Sequence, residues 1–446
     1  MQDVPSFLPN NMIAFIQAGG AGTRLKSITG DMPKPMVPIC GKPILEWQIE
    51  NLHENGVDDF IIVISPNGKA IPNYFGDGGK FGVRIEYIEE KEPLGTGGVL
   101  GLLQGKIQDD FILCFGDLML NICWKKFIAF HREKHSSLTA FAHPNSHPFD
   151  SDVLVTDEKD RLVRIDSKHN VRNYYYKNLT NAGLYVCSKD VISFVQEPDK
   201  IDFEKVVLQH FINEGKAFAY RSSEYVKDCG TPDRYYGVTN DLKNEIIPAK
   251  SLANLQKCIF LDRDGTINKF GDFVRSANQL ELAPGAAEAI KLINESSYLA
   301  ICVTNQPVVA RGETTFEELE NIHNKMEDLL GEQGAYLNDL FFCPHHPDKG
   351  YPGEVPELKI SCDCRKPKIG MLLKAKEKYN IDLTQSWMIG DTKQDIQTGI
   401  NAGCRTILLT TGDPNPNRRY QEAQPTYMCS TLLEAVRLIL KIKKGE

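Results

Sequence analysis

The chain has 446 residues, of which 41% are hydrophobic and 25% charged, and its net charge is −8. That length exceeds one ordinary hydrophobic core and fits two or three domains of a globular protein. An acidic balance excludes the broad basic field that draws proteins to nucleic acid or anionic lipid, so any pocket for an anionic substrate must be local.

No run of about 18 apolar residues occurs, which argues against a transmembrane helix. The polar start, residues 1–11, lacks the apolar stretch of a secretory signal, so a cytoplasmic location is expected. Most of the 12 cysteines stand singly, several inside apolar runs such as that around Cys302. That is the usage of reduced core thiols rather than of a disulfide framework.

In chain order, the apolar pattern predicts a strand at 12–18, a helix at 44–54, strands at 60–64 and 111–115, and a helix at 125–133. The polar stretch 244–256, with Pro248, reads as a break. After it come strands at 258–261, 299–304, 387–389 and 405–409, alternating with helices at 286–293, 316–330 and 371–379. Continuous apolar strands separated by helices imply parallel sheets covered on both faces. The expected fold class is α/β, with two Rossmann-like three-layer domains of mainly parallel sheet. The division expected is 1–245, a linker at 246–256, and 257–446.

Directly after the first strand come Gly19, Gly20, Gly22, Thr23 and Arg24. Glycines let backbone N–H groups approach and cradle an anion, and Arg24 can add a bidentate phosphate contact. Lys34, held between Pro33 and Pro35, is a second cation on a rigid mount. The whole set, Gly-Gly-x-Gly-Thr-Arg-Leu, then Pro-Lys-Pro-Met at 33–36, then Gly-Lys-Pro at 41–43, closely resembles the signature of sugar-1-phosphate nucleotidyltransferases. The resemblance runs over residues 12–240. It implies that Gly95, Thr96 and Gly97 contact base and ribose, and that Asn181 and Gly183 line the sugar strand. Asp117 and Asp228 would hold Mg²⁺, and Lys168 would hold the sugar phosphate, with Arg172 and Lys177 as competitors. His143 and His147 read as loop residues. The reaction implied is attack of a sugar-1-phosphate oxygen on the α-phosphorus of a nucleoside triphosphate, with Arg24 and Lys34 neutralising the departing pyrophosphate.

The second half opens with a strand running into Asp262 and Asp264. Two acids two residues apart can divide nucleophilic and acid–base work on one phosphate. Asp-Arg-Asp-Gly-Thr at 262–266 closely resembles the first motif of the haloacid dehalogenase superfamily, and the other motifs follow in order. Asp262 is then the nucleophile and Asp264 the general acid and base. Thr304 and Asn305 hold the phosphate, Lys366 screens charge, and Asp262, the Asp264 carbonyl and Asp391 hold Mg²⁺ with Asp395 behind them.

Cys343, His345, Cys362 and Cys364 have the ligand chemistry of a closed, structural Zn²⁺ site, with His346 as the alternative imidazole. This zinc loop, with Gln306, Arg311 and Arg365, resembles the D-glycero-D-manno-heptose 1,7-bisphosphate 7-phosphatases over 257–440. Histidinol-phosphate phosphatases share the loop. The fused halves make consecutive steps: a 7-phosphatase yields heptose 1-phosphate, which a guanylyltransferase-like N-terminal half would activate with GTP. A hexose-1-phosphate enzyme joined to a histidinol-phosphate-type phosphatase, and a nucleotide-sugar sensor without N-terminal activity, are the alternatives. The partners expected are sugar phosphates and a nucleoside triphosphate, with no nucleic acid or membrane; a homo-oligomer is left open.

Overall fold

The apolar run that starts the first half folds as strand β1 (Ile13–Gln17), whose three central residues are buried. The computed structural model describes residues 12–20, 25, 28, 30, 32–269, 271–410, 420 and 422–444. They fall into two compact units. Unit 1 comprises residues up to 143, 152–167 and 181–253, and unit 2 comprises 144–151, 168–180 and 254 onward.

In unit 1, β1 is followed by α1 (Ile44–Glu54), β2 (Asp59–Ile64), β3 (Arg84–Glu89), β4 (Phe111–Phe115) and β5 (Leu118–Asn121). Then come α2 (Trp124–Glu133), β6 (Leu138–His143), β7 (Val153–Thr156), β8 (Leu162–Asp166), β9 (Thr180–Cys187), β10 (Ala217–Arg221), β11 (Tyr225–Asp228) and α3 (Pro232–Lys243). The described residues form a nine-stranded sheet in the order β8-β7-β9-β4-β1-β2-β3, with β6 beside β9 and β10. The strands β4, β1, β2 and β3 are parallel, and β9 runs antiparallel against β4. Their near-continuous apolar sequences are explained by cover on both faces: Phe15, Ile16, Leu113 and Cys114 are all fully buried. Register pairs Gln17 with Phe115, so the loops after β1 and β4 leave the sheet at the same edge.

The stretch expected as a linker is instead packed. A helical turn at Ile246–Ala249 buries Ile246 and Ile247, and Leu252 is buried with its N–H donating to the Glu224 carboxylate at 2.8 Å. Three apolar side chains spread through a polar stretch were enough to anchor it, a spacing without helical or strand period.

Unit 2 is built on β12 (Lys257–Leu261), β13 (Tyr298–Asn305), β14 (Asp339–Cys343), β15 (Trp387–Gly390), β16 (Arg405–Leu409) and β17 (Tyr427–Cys429). They form a six-stranded sheet ordered β14-β13-β12-β15-β16-β17, parallel throughout. The helices are α4 (Ala286–Asn294), α5 (Phe316–Glu332), α6 (Gly370–Tyr379), α7 (Lys393–Ala402) and α8 (Leu432–Lys444). Thr315 caps α5 and Thr392 caps α7, each accepting from the N–H three residues on.

Two segments that precede this unit in sequence also belong to it, which a division by chain order does not anticipate. The N–H of Asn178 donates to Glu327 on α5 at 2.6 Å, Tyr175 packs on the apolar core, and Pro148 lies against Gly331. Among the described residues no helix is long and apolar enough to cross a membrane.

Candidate active sites

At the shared edge of unit 1, Gly19 and Gly20 follow β1 and Asp117 follows β4. Gly22, Thr23 and Arg24 lie outside the described residues. Lys34 sits in a short turn between its two prolines and pairs with Asp117 at 3.2 Å. Strand β11 pairs antiparallel with β5, Asp228 opposite Leu118, and Cys229 N donates to Asp117 O at 3.0 Å. Asp117 and Asp228 therefore stand at neighbouring strand ends. Arg234 on α3 holds both Asp228 oxygens, at 2.8 and 2.6 Å.

The glycine-rich turn Gly95–Gly98 is helical and pressed against residues 199–203: a Cβ on Gly98 would lie 1.6 Å from the Asp199 carbonyl oxygen. Thr96 is engaged on both sides, its carbonyl accepting from Gln17 and its hydroxyl accepting from Phe203 N. On β9, Asn181 Nδ2 donates to the Tyr185 hydroxyl at 2.6 Å, and Gly183 takes a φ of +71° with the Phe115 ring against it. Lys168 is exposed and, like Arg172 and Lys177, lies in the 168–180 segment grouped with unit 2. Arg172 reaches the carbonyls of Pro148 and Ser151 and the Tyr176 ring, so its guanidinium is committed to that segment.

In unit 2, β12 ends at Leu261 and delivers Asp262, which is buried and paired with Lys366 at 2.9 Å. Lys366 also binds Asp395 at 2.5 Å. One oxygen from each of Asp262, Asp391 and Asp395 lies within 4.8 Å of the others. Burial, then Asp395, pushes the Asp262 carboxyl up to about 7, and burial, then Asp262, pushes Asp391 up to about 8. Burial works against the Lys366 ammonium, but Asp262 and Asp395 outweigh it and hold that amine above its ordinary range. Three carboxylates against one ammonium leave the pocket short of positive charge, a donor set suited to a hard divalent cation. Gly265 fits this: its φ is +74°, and a Cβ there would stand 2.1 Å from Asp391 Oδ2.

Asp264 has a different environment. Burial would raise it, but Arg263, Gln306 and Asn268 bring its carboxyl below the ordinary value. Arg263 is fully buried and holds both Asp264 oxygens at 3.0 Å, while its Nη2 also donates to Gln306 Oε1. Gln306 Nε2 donates to Asp264 and to the Thr304 hydroxyl. Expected as a substrate contact, Gln306 is buried with its amide spent on these neighbours. Asn305 exchanges hydrogen bonds with the Lys366 backbone.

A nucleotidyl transferase family model matches residues 13–245, more than half of the chain, and a HAD-hydrolase-like model matches residues 363–435. The mannose-1-phosphate guanylyltransferase of Mycobacterium tuberculosis is 31% identical over 242 residues, 54% of this chain and 67% of that protein. The D-glycero-beta-D-manno-heptose-1,7-bisphosphate 7-phosphatase of Haemophilus influenzae is 35% identical over 192 residues, 43% of this chain and 100% of that protein. The chain belongs to the nucleotidyl transferase family, joined to a heptose-bisphosphate 7-phosphatase-like half. The crystal structure of HddC from Yersinia pseudotuberculosis complexed with GMP-PN is 32% identical, covering 52% of this chain and all of that one, with a TM-score of 0.44.

The chain is thus a bifunctional enzyme, with a nucleotidyltransferase half and a phosphatase half. The family match to the first half spans Lys34, Asp117, Asn181 and Asp228, and that to the second spans Lys366, Asp391 and Asp395. Beside the phosphatase acids, the ligand atoms of Cys343, His345, Cys362 and Cys364 cluster within 4.8 Å. Five of their six separations run from 3.1 Å (Cys364–Cys343) to 3.7 Å (Cys343–His345). A tetrahedral zinc with ~2.3 Å Zn–S bonds needs S···S edges of ~3.7 Å, so a small outward shift of the sulfurs fits that ion. His346 turns away, its Nε2 3.2 Å from Arg311. Arg311 lies between the Phe273 and Tyr351 rings, and Arg365 donates to the His345 carbonyl at 3.0 Å.

The motifs do not single out Arg263, the buried partner of Asp264; an arginine inside a run of apolar and acidic residues is its one local signal.

Proposed function

We propose that the phosphatase half removes the 7-phosphate of D-glycero-D-manno-heptose 1,7-bisphosphate, and that the nucleotidyltransferase half then transfers GMP from GTP to heptose 1-phosphate. The observation that carries the first part is the split between two nearby acids: Asp262 faces an ammonium, whereas Asp264 is held by Arg263 and Gln306. The likeness to a heptose-bisphosphate phosphatase and to a mannose-1-phosphate guanylyltransferase supports the substrates.

Asp262 attacks phosphorus and forms an aspartyl-phosphate, a labile acyl phosphate suited to turnover. Lys366 neutralises charge on nucleophile and phosphate. Asp264, ionised in the free protein, takes up a proton as the phosphate dianion seats against it and hands it to the leaving C7 oxygen. It then removes a proton from the water that hydrolyses the intermediate. Thr304 and Asn305 hold the phosphate oxygens, and Arg311 and Arg365 face the remainder of the substrate. Mg²⁺, held by Asp262, the Asp264 carbonyl and Asp391, would supply charge neutralisation on the transferring phosphoryl group. Zn²⁺ on Cys343, His345, Cys362 and Cys364 would fix the loop that carries Arg365 and Lys366.

In the other half, Lys34, together with Arg24, neutralises the departing pyrophosphate. Asp117 and Asp228 would hold a second Mg²⁺, with Arg234 releasing Asp228 to it. Gly19, Gly20, Gly22 and Thr23 cradle the triphosphate, Gly95, Thr96 and Gly97 the nucleoside, and Asn181 and Gly183 the sugar.

A panel of heptose 1,7-bisphosphate, histidinol phosphate and sugar 1-phosphates with each nucleoside triphosphate tests the assignment, read by released phosphate and pyrophosphate. Asp262→Asn should abolish phosphate release and spare nucleotidyl transfer, and Asp117→Ala should do the reverse. Preference for histidinol phosphate, or loss of both activities in either variant, would overturn it.

A further inference from the structure

One half-buried carboxylate of unit 1 has no part in this scheme. Glu204 lies in a π-helical turn, Phe203–Leu208. π-helical turns are rare and frequently sit at functional sites. On one side the turn is tied to the glycine-rich helix, by Phe203 N to Thr96 Oγ1 at 2.9 Å and by Gly97 N to the Ile201 carbonyl at 3.0 Å. On the other side Tyr185 OH donates to Glu204 Oε1 at 3.2 Å, and Asn181 Nδ2 donates to that same hydroxyl oxygen. Asn181 Oδ1 accepts from Gly183 N, which closes the relay on β9.

A carboxylate offers about four acceptor positions, so the Tyr185 hydroxyl and Glu204's own N–H leave acceptor capacity for a ligand. Burial pushes the carboxyl up to about 7, with Asp202 and Asp152 adding to it. A phosphate would be repelled by these three acids. Neutral hydroxyls would not, and a carboxylate accepts strongly from them.

We propose that Glu204 is a specificity residue of the nucleotidyl transfer site, accepting hydrogen bonds from ring hydroxyls of the sugar 1-phosphate while Asn181 and Tyr185 hold it in position. This rests on the nucleotidyl transfer reading above. It adds a residue from a segment the motifs do not include, and it assigns the polyol rather than the phosphate to this end of the site.

The test uses the full chain with GTP and either heptose 1-phosphate or mannose 1-phosphate, followed by monodeoxy analogues of the accepted sugar. A hydrogen bond to a charged group contributes about 1.5–3 kcal/mol, so Glu204→Gln should raise KM for the sugar 1-phosphate about 10- to 100-fold and leave KM for GTP within about twofold. The unaltered protein should discriminate against one or two monodeoxy analogues by a similar factor, and Glu204→Gln should lose that discrimination. The analogue series on unaltered protein does not depend on how the variant folds. Equal kcat/KM for every analogue, or an unchanged sugar KM in a folded Glu204→Gln, would overturn the inference. If the unaltered protein forms no nucleotide sugar from any sugar 1-phosphate, the underlying reading falls instead, and the two failures are distinct.

Discussion

Replacing Lys366 by methionine separates the charge logic of the phosphatase pocket from its packing. The side chain is 2% exposed and its ammonium lies 2.9 Å from Asp262 and 2.5 Å from Asp395. Methionine keeps most of the volume but leaves two buried carboxylates facing each other with Asp391 close by. Removing one partner of a buried ionic cluster costs about 3–5 kcal/mol. At ~2–4 °C per kcal/mol for a unit of this size, the unfolding temperature of unit 2 should fall by about 6–20 °C.

The deficit should depend on pH with a definite sign. Asp262 already sits at about 7 with the lysine present, and losing the ammonium raises it further. An acid whose folded pKa lies above its unfolded value loses stability as pH rises through the folded pKa. The variant should therefore be weakest near pH 8.5 and recover toward pH 5.5, where the cluster protonates. Calorimetry in magnesium-free buffer, with zinc retained, reads this directly. Phosphate release should fall about 1,000-fold, the scale for a preorganised charge lost at the reacting phosphate, with nucleotidyl transfer unchanged. A deficit that is absent, or equal at both pH values, would refute the claim that this ammonium compensates the buried acids.

Two further substitutions probe the same unit. Gly265→Ala would force a side chain into a φ of +74°, costing about 1–2 kcal/mol, and would drive Asp391 from a contact of 2.1 Å. Half-saturation by Mg²⁺ should rise at least tenfold and phosphatase activity fall about 100-fold; a magnesium titration matching the unaltered protein would exclude Asp391 as a ligand. Cys362→Ser should reduce bound zinc, measured by elemental analysis, and lower the unfolding temperature of the phosphatase unit. Undiminished zinc stoichiometry would rule out this ligand set.

Much of the architecture could be read before any coordinates. The helix expected at 44–54 and the strands at 111–115 and 405–409 have those bounds in the structure, and the others shift by a residue or two. Buried parallel strands produce unbroken apolar runs, and such runs are visible locally. The acids and cations proposed for the two sites were legible as candidates because phosphoryl chemistry demands particular residue types in short, ordered motifs. Residues 246–256 misled for the opposite reason: anchoring there depends on Ile246, Ile247 and Leu252, whose burial is set by partners far away in the chain such as Glu224.

What the sequence by itself determined was which residue types stand at the strand ends: Asp117, Asp228 and Asp262 each end or follow a strand and sit in short motifs that are legible locally. What only the tertiary structure decided was how those groups are shared. Gln306 turned from a substrate contact into a brace for Asp264, and Arg263 became its buried counter-charge. Glu204 joined Asn181 through Tyr185, and residues 144–151 and 168–180 joined the second unit. Apart from the adjacent pair Arg263 and Asp264, these outcomes depend on hydrogen bonds or packing between residues separated in the chain, and local pattern carries no record of which partner a buried polar group will meet.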